Sequence, residues 1–245
     1  MKLQLAAICA TAALQGACAE LAILPGVNNE PKAYVTTDGE TWSVFKPPFG
    51  TTAACSSGSE LYLMGMHQKT FEPLAIKSSD GKTWSDPVKI PAIVMECQAS
   101  DGNIYAAGYN GGVIRSTDGG DTYDLIYQTK NETESFNSIL KLDSALIAFG
   151  SWDDAVVGDY RGQAIEARLS VGNVTWTEIK GDWLTNGGYE LRYALSCPGV
   201  VLVGDDTGNY YVAEDKHVRN YCRRTGLRLL RAAPPPSTWF DLGVC

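Results

Sequence analysis

Residues 36–43 read TTDGETWS, and residues 78–85 read SSDGKTWS. A third relative, STDGGDTY, occupies 116–123, with one extra residue before its threonine and Tyr123 in place of tryptophan. A fourth, SVGNVTW at 170–176, keeps Thr175-Trp176 but has Gly172 where the acid stood, and a fifth, AEDKHVR at 213–219, keeps only Asp215. The starts at 36, 78, 116, 170 and 213 are separated by 42, 38, 54 and 43 residues. Self-similarity at a period of about 40 residues is the mark of a repeat architecture, and it takes precedence over any element-by-element assignment.

The text around each phrase repeats as well. ELAILPG (20–26), ELYLMG (60–65), NIYAAG (103–108), ALIAFG (145–150) and VVLVG (200–204) are short β-prone apolar runs, each closed by glycine. Each later phrase is approached by a further β-prone segment upstream of its run, and every run is followed by another that leads into the phrase. With the residues after the phrase, each unit offers four short strands, a to d, and the phrase is the turn from c to d. Four antiparallel strands per unit of about 40 residues is the sequence form of a β-propeller blade. The expected fold is all-β: a five-bladed propeller over 1–221, with blades near 1–46, 47–90, 91–130, 131–182 and 183–221, and a C-terminal extension over 222–245. Six blades is the alternative. The extension's proline-bearing end supplies a closing strand at most.

The frame Ser116-x-Asp118-x-Gly120-x-Thr122-Tyr123, with its shorter forms Thr36-x-Asp38-Gly39-x-Thr41-Trp42 and Ser78-x-Asp80-Gly81-x-Thr83-Trp84, resembles the Asp-box, or bacterial neuraminidase repeat. That motif occurs in sialidases, other secreted glycoside hydrolases, photosystem assembly factors and phage particle proteins. The resemblance implies a propeller with its boxes on the outer edge, away from any active centre, and it implies no single function. The physics of the phrase agrees. An Asp carboxylate accepts from amides two or three residues on, Gly takes a backbone conformation that side chains obstruct, and the aromatic ring seeks apolar space. Asp38, Trp42, Asp80, Trp84, Asp118, Tyr123 and Trp176 are therefore expected to be scaffolding.

If the boxes hold the c to d turns, the opposite face carries the b to c loops and the d to a connections. The longest expected b to c loop is 151–163, SWDDAVVGDYRGQ, with Trp152, Asp153, Asp154 and Tyr160. His67 and Phe71 lie on the loop of the second unit, and Trp183 on a d to a connection. Aromatic rings beside carboxylates and other polar groups are one way to stack and hydrogen-bond a sugar, so these seven are the candidate ligand-binding residues. The resemblance to sialidases would require three arginines, one of them in an Arg-Ile-Pro motif near the N-terminus. No arginine precedes Arg115 and no Arg-Ile-Pro occurs, so sialidase activity is not expected.

Composition narrows the rest. A net charge of −8 opposes binding to nucleic acid, and no apolar run reaches the length of about 18 residues that reads as a membrane span. Seven cysteines, without CxxC spacing and with two histidines, give no metal site or cofactor and are expected to be mostly free thiols, with Cys222–Cys245 as a late exception. Residues 1–19 end in Ala17-Cys18-Ala19, the small-x-small pattern of a leader cleaved after Ala19, yet Gln4 and Gln15 interrupt the apolar stretch. Two expectations follow. One is a non-enzymatic structural or adhesion propeller, a phage tail or virion component with residues 1–19 retained as strand, which docks on other virion proteins through 222–245 or on surface glycans. The other is a secreted or periplasmic carbohydrate-binding or glycoside-hydrolase-like protein.

Overall fold

The structure, a computed structural model, describes residues 21–178 apart from 27, 101, 131–133, 143–144, 155–158 and 171–172, together with the strand backbones at 191–197, 200–205, 210–214 and 230–231. The chain divides into two compact units, Met1–Lys130 and Asn131–Cys245.

The first unit contains three antiparallel sheets. They are formed by β1 (Ala22–Pro25), β2 (Ala33–Thr36) and β3 (Trp42–Phe45); by β4 (Gly50–Ser57), β5 (Glu60–Met66), β6 (Pro73–Ser78) and β7 (Val88–Lys89); and by β8 (Val94–Ser100), β9 (Asn103–Gly108), β10 (Gly112–Ser116) and β11 (Asp124–Gln128). The second unit contains β12 (Glu134–Leu142), β13 (Ala145–Asp154), β14 (Asp159–Ser170) and β15 (Asn173–Glu178), then β16 (Leu191–Cys197), β17 (Val200–Asp205), β18 (Tyr210–Glu214) and β19 (Leu230–Arg231). In every sheet spatial order equals chain order, as short hairpins dictate. The described residues contain no helix. Strand a of the first sheet, expected from residues 1–19, lies outside the described residues.

The continuous apolar runs follow from burial on both faces. In β5, Leu61 and Leu63 join Ile23, Val35 and Phe49 in a core shared with the first sheet. Tyr62 and Met64, one residue out of phase, join Val94, Ile104 and Ala106 in a core shared with the third. A period-two strand that is apolar on both faces reads as an unbroken run because each face meets a neighbouring sheet.

The glycine that closes each run has a separate cause. Strand a carries a one-residue bulge against strand b in four sheets, at Thr51/Ala53, Val94/Glu96, Phe136/Ser138 and Leu191/Tyr193. Beside the first three bulges a carbonyl within one residue of the start of strand a drops onto the glycine. A Cβ would lie 1.9 Å from the Gly50 oxygen at Gly65, 2.3 Å from the Ile93 oxygen at Gly108, and 1.8 Å from the Ser135 oxygen at Gly150. Only a residue without Cβ allows this approach.

Three expectations need revision. The loop 151–163 is largely a hairpin: β13 runs to Asp154, β14 begins at Asp159, and Trp152 pairs with Arg161 and Asp153 with Tyr160. The segment 222–245 is not wholly an extension, because Leu230 pairs with Val212 and Arg231 with Tyr211, making β19 the outer strand of the last sheet. Cys55 and Cys97 are not free thiols. They form a disulfide between β4 and β8, with a Cα separation of 5.7 Å. Strands a of consecutive sheets pack side by side, and this juxtaposes two residues that are 42 apart in the chain.

Candidate functional site

The box turns fix which face is free. The Asp38 carboxylate accepts the amides of Glu40 and Thr41 at 2.9 and 2.7 Å and the Thr36 hydroxyl at 2.9 Å. The Thr36 oxygen in turn accepts the Gly39 amide at 2.9 Å. Asp80 repeats the set with Lys82, Thr83 and Ser78, and Gly81 donates to Ser78. In the longer third box Asp118 accepts Asp121, Thr122 and Ser116, and the extra residue is absorbed by Gly119 and Gly120, both at positive φ. These donors stabilise the ionised form. The Thr41 amide, then that of Glu40, holds the Asp38 carboxyl down at about 2. Thr83 and Lys82 do the same for Asp80, also at about 2. The Thr122 hydroxyl and amide take Asp118 lower still.

The box aromatics reach the preceding sheet. Trp84 stacks on Phe45 of β3 with ring centroids 4.7 Å apart and planes within 10°, inside the core shared by the first two sheets. Tyr123 packs into the core that contains Tyr62 of β5, and burial, with the nearby Tyr62, raises its phenol far above the usual range. The Lys77 ammonium donates to the Gly119 carbonyl and the Asp121 carboxylate at 2.9 and 2.7 Å, joining the second sheet to the third box. A box thus locks its own hairpin and also joins its sheet to the one before.

At the other end of the strands, the b to c loops of the first unit lie beside the d to a connections. The first loop is pinned by Thr51, whose amide donates to the Glu30 carbonyl at 3.0 Å, whose hydroxyl donates to the Lys32 carbonyl at 2.8 Å, and whose hydroxyl oxygen accepts the Gly26 amide at 2.7 Å. Gln68 of the second loop donates to the Asn29 carbonyl of the first. The third loop is held by the Tyr109 amide on the Ile93 carbonyl and by the Gln128 side chain on the Asn110 carbonyl.

The second loop is wound tightly. The Phe71 amide donates to the His67 carbonyl and the His67 amide to the Glu72 carbonyl, each at 2.9 Å. Glu72 is paired in turn with Lys89. The Thr70 amide donates to His67 Nδ1 at 3.2 Å, with the Thr70 hydroxyl 2.9 Å from the same nitrogen. An amide can only donate, so Nδ1 accepts and the neutral ring carries its proton on Nε2, at the opposite edge. Phe71 ends this turn at φ 58°, in the left-handed region, and the residue is 64% exposed.

His67 and Phe71 are therefore brought together. Tyr109, 47% exposed on the equivalent loop of the next sheet, was not singled out in the sequence. Its place directly after Gly108, the closing glycine of strand b, was the available signal. Trp152, Asp153, Asp154 and Tyr160 belong to the β13–β14 hairpin of the second unit, where Asp153 and Tyr160 are cross-strand neighbours in the backbone. Trp183 lies outside the described residues, as do Cys222 and Cys245. Among the described residues no group of three or more His, Cys, Asp and Glu side chains is placed to hold a metal ion, and no helix is long and apolar enough to cross a membrane.

No protein-family model and no curated protein sequence matches the chain. Solved structures do. The sialidase of Trypanosoma rangeli in complex with 2,3-difluorosialic acid is similar over 79% of this chain and 44% of its own, with TM-score 0.52 and 15% identity. YjhT is similar over 81% of this chain and 72% of its own, with TM-score 0.52 and 10% identity. The WD40 propeller domain of Doa1 is similar over 82% and 67%, with TM-score 0.50 and 9% identity. The chain spans less than half the length of the sialidase it matches. Identities this low speak for the fold alone, and the fold is an all-β propeller.

Proposed function

We propose that this propeller is a non-catalytic binding module whose b to c face in the first unit holds a glycan. Phe71 carries the reading. A bulky side chain in the left-handed region is a backbone outlier that costs about 1 kcal/mol or more, and here it ends with a large ring in solvent, where it contributes little to the core. Such outliers persist when the surrounding structure imposes them, and they cluster at ligand contacts. Three hydrogen bonds around His67 impose this one. The groups on this face suit a sugar: a ring face for its C–H bonds, the His67 Nε2–H as donor, and the Tyr109 phenol on the b to c loop of the next sheet.

Sialidase chemistry finds no place in this reading, since the first arginine of the chain, Arg115, lies within β10. A count of five blades is supported by five sheets among the described residues, three in one unit and two in the other. A place in a virion rests on the Asp-box resemblance alone, and docking through 222–245 on the basic, proline-bearing character of that end.

A glycan array probed with the whole chain tests the proposal. Phe71→Gly relieves the backbone and removes the ring, so it should raise thermal stability slightly while lowering glycan affinity tenfold or more; Tyr109→Ala should weaken binding without unfolding the protein. An empty array, or full binding by Phe71→Gly, would refute it.

A further inference from the structure

We infer that the Cys55–Cys97 bond is a redox-cleavable staple between two blades, and that the chain is built to mature in an oxidising compartment. β4 and β8 belong to different sheets and share no ladder of backbone hydrogen bonds. Their joint is made by side chains: the apolar cluster around Met64, Val94 and Ile104, the Lys77 contact with the third box, and this covalent link. The Cα atoms stand 5.7 Å apart, inside the ordinary span of a disulfide. The bond closes a chain segment 42 residues long, long enough for its entropic effect on the unfolded chain to be large. Cys97 is 6% exposed and Cys55 half-buried, so exchange partners reach the bond from the Cys55 side.

The chemistry balances simply. Oxidation joins the two Sγ atoms with loss of two protons and two electrons, and the electrons reduce a disulfide of an oxidising dithiol protein or of glutathione to two thiols. Reduction by a dithiol reverses each step. Such a bond persists outside the reducing cytosol, which agrees with the Ala17-Cys18-Ala19 leader pattern in the sequence. The inference is independent of the glycan face, since it rests on different residues and a different readout.

Protein alkylated in the cells of its native source before lysis, then digested without reduction, should yield the Cys55 and Cys97 peptides as one linked species. Purified oxidised protein should lose about 10 °C of melting temperature when a dithiol reductant is added, and the double variant Cys55→Ala/Cys97→Ala should lose nothing further. Recovery of both cysteines singly alkylated would overturn the inference, as would a linked peptide whose reduction leaves the melting temperature unchanged. Should the double variant fail to fold, the peptide map and the wild-type melting curves still decide.

Discussion

Gly65→Ala should be among the most damaging single-methyl additions in the first unit, and the structure sets its size. The new Cβ would lie 1.9 Å from the Gly50 carbonyl oxygen and 2.9 Å from both the Gly50 carbonyl carbon and Phe49 Cδ2. A Cβ is essentially never found within 3.0 Å of another heavy atom, so the carbonyl of β4 must retreat by about 1 Å. Because the obstruction is backbone, no rotamer change relieves it. A retreat on that scale loosens the hydrogen bonds around the bulge, at about 1 kcal/mol each, and crowds Phe49, adding about 1–3 kcal/mol of overpacking. The total is about 3–5 kcal/mol. Gly58→Ala is the matched control: it sits at φ 58° with nothing within 4 Å of its hypothetical Cβ, so it meets only the left-handed penalty of about 1 kcal/mol. Urea unfolding followed by tryptophan fluorescence reads both variants on one scale, and melting temperatures should fall by about 10 °C and about 3 °C respectively. Equal losses in the two variants would show that the bulge carbonyl does not seat on Gly65, and with it the account of Gly65, Gly108 and Gly150 would fail.

The box carboxylates make stability fall in acid. The Asp80 carboxyl has its folded pKa at about 2 against an ordinary 3.8, so its contribution is complete above about 4 and is lost as pH drops through about 2; in Asp80→Asn, chemical denaturation at pH 6 and pH 2.5 should differ less than in the wild type. Trp84→Ala removes the stack on Phe45 and should cost about 3 kcal/mol, with a drop in fluorescence; a loss under about 1 kcal/mol would mean the ring does not join the two sheets. Deleting residues 222–245 removes β19, so amide exchange should rise at the one of Tyr211 and Val212 whose N–H faces β19, whereas unchanged protection at both would show that Leu230 and Arg231 do not pair there.

What the sequence disclosed was what repeats locally. The box turns were legible because every bond of Asp38, Asp80 and Asp118 is made within four residues. The strands were legible because burial on two faces writes unbroken apolar runs such as Leu61–Gly65. What depended on a neighbouring sheet was hidden. The disulfide joins residues 42 apart, and only the repeat period hinted at it. The hairpin over 151–163 holds Asp153, Asp154, Asp159 and Gly162, residues of low strand preference that pair because the strands on either side already do. In GLRLLR, residues 226–231, interspersed arginines masked the outer strand of the last sheet. His67 and Phe71 were named for their chemistry, but the left-handed backbone at Phe71 has no signature that residue identity discloses.

The two ends of a blade divide the work for a physical reason. A box buries its aromatic against the sheet before it, as Trp84 does against Phe45 and Tyr123 against the core around Tyr62, so that edge must stay close to one sequence to keep one geometry. Trp42, in the first described sheet of its unit, is 38% exposed. The b to c loops carry no such packing duty. They are pinned at their bases by Thr51, Ile93 and Glu72, and their tips can differ from blade to blade. A strained, solvent-facing Phe71 is tolerable there because the box edge holds the sheets in place without it.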